Sequence, residues 1–148
     1  MNNANTLPPE TATFSAGASF RVQGLDLPLE VISQKLRIGP THTHHRGEPG
    51  MLREPLPFDM WMLKSPLTER DELELHLVWL ADRLLPHKEY ISSLSKNFKV
   101  DIYCFKTCYT EQASLTLSPR ALKIFTELSR ELCVSLIFLP REVSTIPI

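Results

Sequence analysis

His42, His44 and His45 fall within the segment Thr41-His42-Thr43-His44-His45-Arg46-Gly47-Glu48, the densest group of metal-competent side chains in the chain. Neutral imidazole is a common ligand for zinc and copper. If the segment is extended, His42 and His44 point to the same side and can grip one cation, while His45 points away. A stable zinc or copper site needs further ligands, and Glu48, His76 or a cysteine would have to be brought in by the fold. The chain has no Cys-x-x-Cys and no second histidine pair. The leading reading of the same residues is a solvated, weakly metal-sticky polar loop. A metal ion is therefore the only cofactor suggested, held in an alternative reading by His42, His44 and His45.

Other reaction chemistries find less to work with. Cys104 and Cys133 lie in apolar stretches and read as core thiols, whereas Cys108, beside Tyr109 and Thr110, is the one cysteine expected near solvent. On a shared strand Cys104 and Cys108 would stand roughly 13 Å apart, beyond disulfide reach. No serine sits in Gly-x-Ser-x-Gly, and five glycines give no phosphate-cradling loop. Asp71, Glu72 and Glu74 read as helix-start electrostatics rather than acid/base pairs. Phe58, Met60, Trp61 and Met62, with Arg46 and Arg53 nearby, carry the residue types that protein interfaces favour. Core packing is the competing account of Trp61. A small-molecule pocket lined by Trp61 and Phe58, beside the proline-rich segment 49–66, is a third possibility.

A chain of 148 residues with 43% hydrophobic and 22% charged side chains can bury one continuous core. Its net charge of -1 provides no field for polyanions, so no nucleic-acid partner is expected. No apolar run is long enough to span a bilayer, and the first residues lack the pattern of a secretion signal. The odd number of cysteines suits free thiols in a reducing compartment, and the expected location is cytoplasmic.

The elements that must position these residues follow from periodicity. Residues 1–11 read as a flexible tail and 12–148 as a single domain. From Phe14 to Val22 apolar and polar residues alternate, predicting a strand with one buried face. Asp26 and Pro28 offer a helix start, Leu29, Ile32 and Leu36 its inner face, and Gly39-Pro40 its stop. A strand is predicted over Asp59–Lys64, then a helix with Leu73, Leu77, Leu80 and Leu84 on one face, kinked or restarted at Pro86. Phe98 to Phe105 alternates as a second clear strand, and Ser114–Leu117 makes a short one. Ser118-Pro119 caps a last helix lined by Leu122, Phe125, Leu128 and Leu132. Cys133–Leu139, apolar on both faces, predicts an interior strand. Helices interspersed with strands give an α+β fold, a mixed or antiparallel sheet with helices packed on it, ferredoxin-like in style.

The order and punctuation of these elements resemble an uncharacterised bacterial family, domain of unknown function 4279. The resemblance rests on the strand ending at Gly24 and Asp26, the helix running into Leu36-Arg37-Ile38-Gly39-Pro40-Thr41, and the polar stretch with Arg46-Gly47-Glu48. It continues through Trp61 before Ser65, the leucine-rich helix through His76 and the Leu115-Thr116-Leu117-Ser118-Pro119 junction. It covers about residues 12 to 140 and implies a compact α+β domain with no catalytic residues to carry over. The three histidines are a local elaboration of this chain. We therefore expect a cytoplasmic domain without enzymatic activity that binds a protein partner, as an immunity or regulatory protein would, with Arg46, Arg53, Phe58 and Trp61 as contact residues.

Overall fold

The computed structural model describes residues 12–128 and 133–139; the expected tail and Leu132 lie outside these residues. Five strands form one sheet in the order β2-β3-β1-β4-β5. They are β1 (Phe14–Gly24), β2 (His42–His44), β3 (Asp59–Lys64), β4 (Lys99–Cys108) and β5 (Cys133–Phe138). All neighbours run antiparallel except β4 and β5, which are parallel. The helices are α1 (Leu29–Leu36), α2 (Leu73–Leu84), α3 (Lys88–Leu94) and α4 (Pro119–Glu127). The fold is thus α+β with a mixed sheet, and the ferredoxin-like style is compatible with it.

Period-two patterning builds the core. Phe20 stands opposite Ile102 and Leu63, and Val22 opposite Val100 and Trp61, so one sheet face presents a continuous apolar surface. Ile32 and Leu36 of α1, Leu73, Leu77, Leu80 and Leu84 of α2, and Ala121, Ile124 and Phe125 of α4 close over it. Pro86 cannot continue α2, and a 3₁₀ turn over Leu85–His87 restarts the chain as α3. On the opposite face Arg21 forms a two-pronged ion pair with Asp101, at 2.7 and 2.9 Å, directly across the β1–β4 ladder. The Phe105 ring lies against Gly17, where a Cβ would meet its Cε1 at 2.7 Å. That ring is why the polar-looking face of β1 is also partly buried.

Several expectations need correction. Asp26 does not cap α1: it is itself left-handed (φ 54), and α1 has no side-chain cap. Arg37, not Gly39, takes the left-handed position that ends this helix. Ser114–Leu117 is not a strand, although Leu115 and Leu117 still pack on the core. Its neighbourhood is organised instead by the Lys106 ammonium, which donates to the Ser114 carbonyl at 3.0 Å. The buried side of α4 is centred on Ala121 and Ile124, with Leu122 only partly buried. Ser118 does cap α4, its hydroxyl oxygen accepting from Ala121 N–H.

The strand β5 is an edge strand rather than an interior one. It hydrogen-bonds only to β4 among the described strands, and its Leu136, Ile137 and Phe138 side chains are 44–50% exposed. The cysteines change places accordingly. Cys108 is buried, Cys133 is exposed, and Cys104 is buried with its thiol pushed up to about 12 by burial. One thiol should therefore alkylate rapidly under native conditions. Peptide mass spectrometry after brief iodoacetamide treatment should place the label on Cys133, with Cys104 and Cys108 modified only on unfolding. Equal labelling of all three would contradict this packing.

Candidate functional site

The histidine segment is one side of a built corner at the β2 edge of the sheet. Thr41, His42, Thr43 and His44 are tied to β3: Thr41 N–H donates to the Met62 carbonyl, and His42 and His44 pair with Met62 and Met60. The two-residue spacing puts both imidazoles on one side, as expected for an extended segment. His42 Nε2 lies 3.1 Å from His44 Nδ1. His44 is buried beside Phe58, and its Nε2 has no protein partner among the described residues. His45 turns the other way, with Nδ1 3.8 Å from Asp59 Oδ1.

Asp59 organises this corner. Its Oδ1 accepts from Arg46 N–H at 2.7 Å and its Oδ2 from Leu27 N–H at 2.9 Å. One carboxylate therefore fixes the chain just before α1 to the chain just after β2. These two backbone donors, Arg46 first, hold the Asp59 carboxyl below the usual carboxylate range, helped by His45 and His44.

Arg46-Gly47-Glu48 starts a tight turn. Gly47 takes φ 87, which only glycine adopts readily, and the Glu48 carboxylate folds back to accept from His45 N–H at 3.0 Å. From this turn the chain enters a short hairpin. Gly47 N–H donates to the Leu56 carbonyl, Leu56 N–H to the Glu48 carbonyl, and Gly50 N–H to the Glu54 carbonyl, each at 2.8–2.9 Å. Arg53 N–H closes the tip onto the Gly50 carbonyl, and Arg53 sits in the left-handed region (φ 63). This is the pattern of a three-residue hairpin loop, whose left-handed position normally holds glycine.

Held at that tip, Met51 and Leu52 have 103% and 87% relative exposure. Hairpin hydrogen bonds of Gly50 and Arg53 bracket them, and both side chains stand in solvent. Arg53 adjoins them at the tip and Arg46 precedes the base of the hairpin, both exposed and without an ion-pair partner among the described residues. Arg53→Gly should raise stability by about 0.5–1 kcal/mol, since relief of a left-handed penalty of about 1–2 kcal/mol exceeds the added backbone entropy of glycine. Urea unfolding measures this, and a loss of stability would show that Arg53 makes contacts that hold the hairpin.

The other expected site residues do not all share this surface. Phe58 is half-buried against His44. Trp61 is fully buried, edge-to-face on Phe20, and its indole N–H donates to Ser33 Oγ at 2.9 Å. It offers no surface to a partner and lines no open pocket; its size draws it into the core between β3 and α1. The extra metal ligands are not delivered either. Glu48 is engaged with His45, and His76 is enclosed on α2 between Ser65 Oγ and the Thr68 carbonyl. No group of three or more His, Cys, Asp or Glu side chains is placed to hold a metal ion among the described residues.

Sequence reasoning missed Met51, Leu52 and Asp59, and also Lys106. The alternation Val100, Ile102, Cys104 continues to Lys106 and places an ammonium on the apolar face, a signal readable from parity alone. Lys106 is 5% exposed, donates to Glu72 Oε2 at 3.2 Å and Ser114 O at 3.0 Å, and lies over the Phe14 ring. Its charge is fully engaged within the fold.

Sheet, helical cover and projecting hairpin together define a small α+β domain with an exposed apolar tip. Residues 12–139 match the family model described as Domain of unknown function (DUF4279), and the chain belongs to that family. No curated protein and no solved structure matches it. No described helix is long and apolar enough to cross a membrane.

Proposed function

We propose that this domain is a protein-binding module without a catalytic step of its own, acting as an immunity or regulatory factor in a reducing, cytoplasmic setting. The observation that carries this reading is the hydrogen-bonded hairpin that holds Met51 and Leu52 in solvent next to Arg53. Met and Arg are enriched at protein interfaces, and a backbone already held by hairpin hydrogen bonds has less conformational entropy to lose on binding. Two buried titratable groups support the same reading, since His76 and Asp59 each close a structural contact within the fold.

A photoreactive amino acid at position 51 or 52, incorporated in the cells that make the protein, tests this. It should cross-link one defined protein that the same probe at Glu89, on the exposed side of α3, does not reach. Indistinguishable cross-linking from all positions, or none from the tip, would count against the module.

The His42–His44 pair supports a second reading, a metal-binding protein. Two imidazole nitrogens 3.1 Å apart can converge on one zinc or copper ion, with water completing the shell. A melting temperature that rises with added zinc or copper, and no longer does so in His42→Ala, would favour it.

A further inference from the structure

The hairpin has a receptor of matching chemistry on the chain itself. Leu27, Pro28, Val31 and Pro40 line a groove beside α1 that is about half polar, with Glu30 and His45 also among its lining residues. Val31 is 45% exposed, and Glu30 has no ion-pair partner among the described residues. The tip carries the complement: Met51 and Leu52 to meet the apolar half of the groove, and Arg53 to meet a carboxylate. Within one chain the two do not meet, since Met51 is completely exposed.

We infer that the Met51–Leu52 tip docks into this groove on a second copy of the chain, with Arg53 paired to Glu30 across the interface. The inference rests on the protein-binding reading and names its partner. Symmetry favours it. His45 both lines the groove and precedes the turn that launches the hairpin, so each copy carries donor and receptor at one corner. A two-fold axis there exchanges both hairpins at once and closes the assembly as a dimer rather than a filament. A membrane is the poorer occupant, because Glu48 and Glu54 offset Arg46 and Arg53 and leave no basic excess for anionic lipid.

Sedimentation velocity over a dilution series of the full chain tests this. The wild type should dimerise reversibly. Met51→Asp with Leu52→Asp, and separately Val31→Asp, should each weaken association by roughly tenfold or more, the effect of losing a buried anchor. Glu30→Arg and Arg53→Glu should each weaken it, and combining them should restore it. All these positions are exposed, and an independent trap avoids charge substitution altogether. Met51→Cys mixed with Val31→Cys, both in a Cys133→Ser background, should oxidise to a crossed disulfide dimer.

A wild type that stays monomeric at the highest concentration reached overturns the inference. So does a dimer that survives the tip substitutions but dissociates in Ile137→Lys, which would move the contact to the β5 edge. If the monomer still cross-links a different protein from position 51, the module reading stands and the second copy is excluded. If neither contact exists, both fall.

Discussion

Trp61→Ala should destabilise the domain by about 3–5 kcal/mol, the range for removing a buried aromatic side chain. Trp61 is completely buried and meets Phe20 edge-to-face, with ring centroids 6.1 Å apart. Its removal empties the space between the centre of the sheet and α1, and backbone on both sides is pinned by β-ladder and helix hydrogen bonds, which limits collapse. It also leaves Ser33 Oγ, which accepts the indole N–H, without that donor. Trp61→Phe keeps most of the apolar contact and should cost nearer 1 kcal/mol, the typical net value of one hydrogen bond plus residual misfit. Against a total of about 5–15 kcal/mol for a domain, the alanine variant should show a sharply lower urea midpoint. A loss under 1 kcal/mol for Trp61→Ala would place this indole outside the core.

His76 should be the other large determinant, and it gives the domain a pH dependence. The ring is 1% exposed. Because the Thr68 carbonyl can only accept, Nε2 must carry a proton and donate, and Nδ1 then accepts from the Ser65 hydroxyl; both contacts are 3.0 Å. This satisfies the neutral ring completely. Burial, the largest influence, lowers the His76 pKa from its ordinary 6.5, although Thr68 and Asp71 pull the other way. Between the unfolded and folded values the unfolded chain binds more protons, so stability is complete above about pH 6.5 and falls as pH drops through that window.

His76→Leu removes the shared partner of Ser65 and Thr68 and should cost roughly 2–4 kcal/mol at pH 7, the penalty for buried polar groups left unpaired. It should also abolish the decline that starts near pH 6.5. The lowered carboxyls of Asp59 and Glu74 act at lower pH: their contributions are present above the usual carboxylate range and are lost as pH falls below it. Chemical denaturation from about pH 2.5 to 8 covers and separates the two windows. A wild type whose stability is flat from pH 7 to 5 would show that His76 is not held neutral.

The sequence was most legible where periodicity and local chemistry coincide. Alternation set the faces of β1 and β4, the leucine spacing set α2, and Ser118-Pro119 set the start of α4. It was least legible where one residue serves distant parts of the chain. Asp59 bonds backbone groups 32 and 13 residues away, at Leu27 and Arg46, and no local pattern announces such a contact. The three-residue β2 is too short and too polar for alternation to register, and only its ladder to β3 makes it a strand. The apolar run of β5 suggested an interior place, but composition reports what a strand can bury and not which neighbours it is given.

The histidines show the same division. Spacing correctly put His42 and His44 on one side of an extended segment, since side chains alternate along any strand. Whether Glu48 and His76 would join them depended on the path of the chain, which sends one carboxylate to the His45 amide and seals the other imidazole beneath α2. By itself, then, the sequence determined the α+β class and the inner faces of most elements, because these follow from short-range periodicity and backbone preference, and its ordered motifs carried the resemblance to the family. Tertiary structure alone decided that Trp61 is core, that Cys133 rather than Cys108 meets solvent, and that Met51 and Leu52 stand at the tip of a hairpin. Exposure and partnership are set by which distant segments arrive, and sheet order is a property of the whole chain.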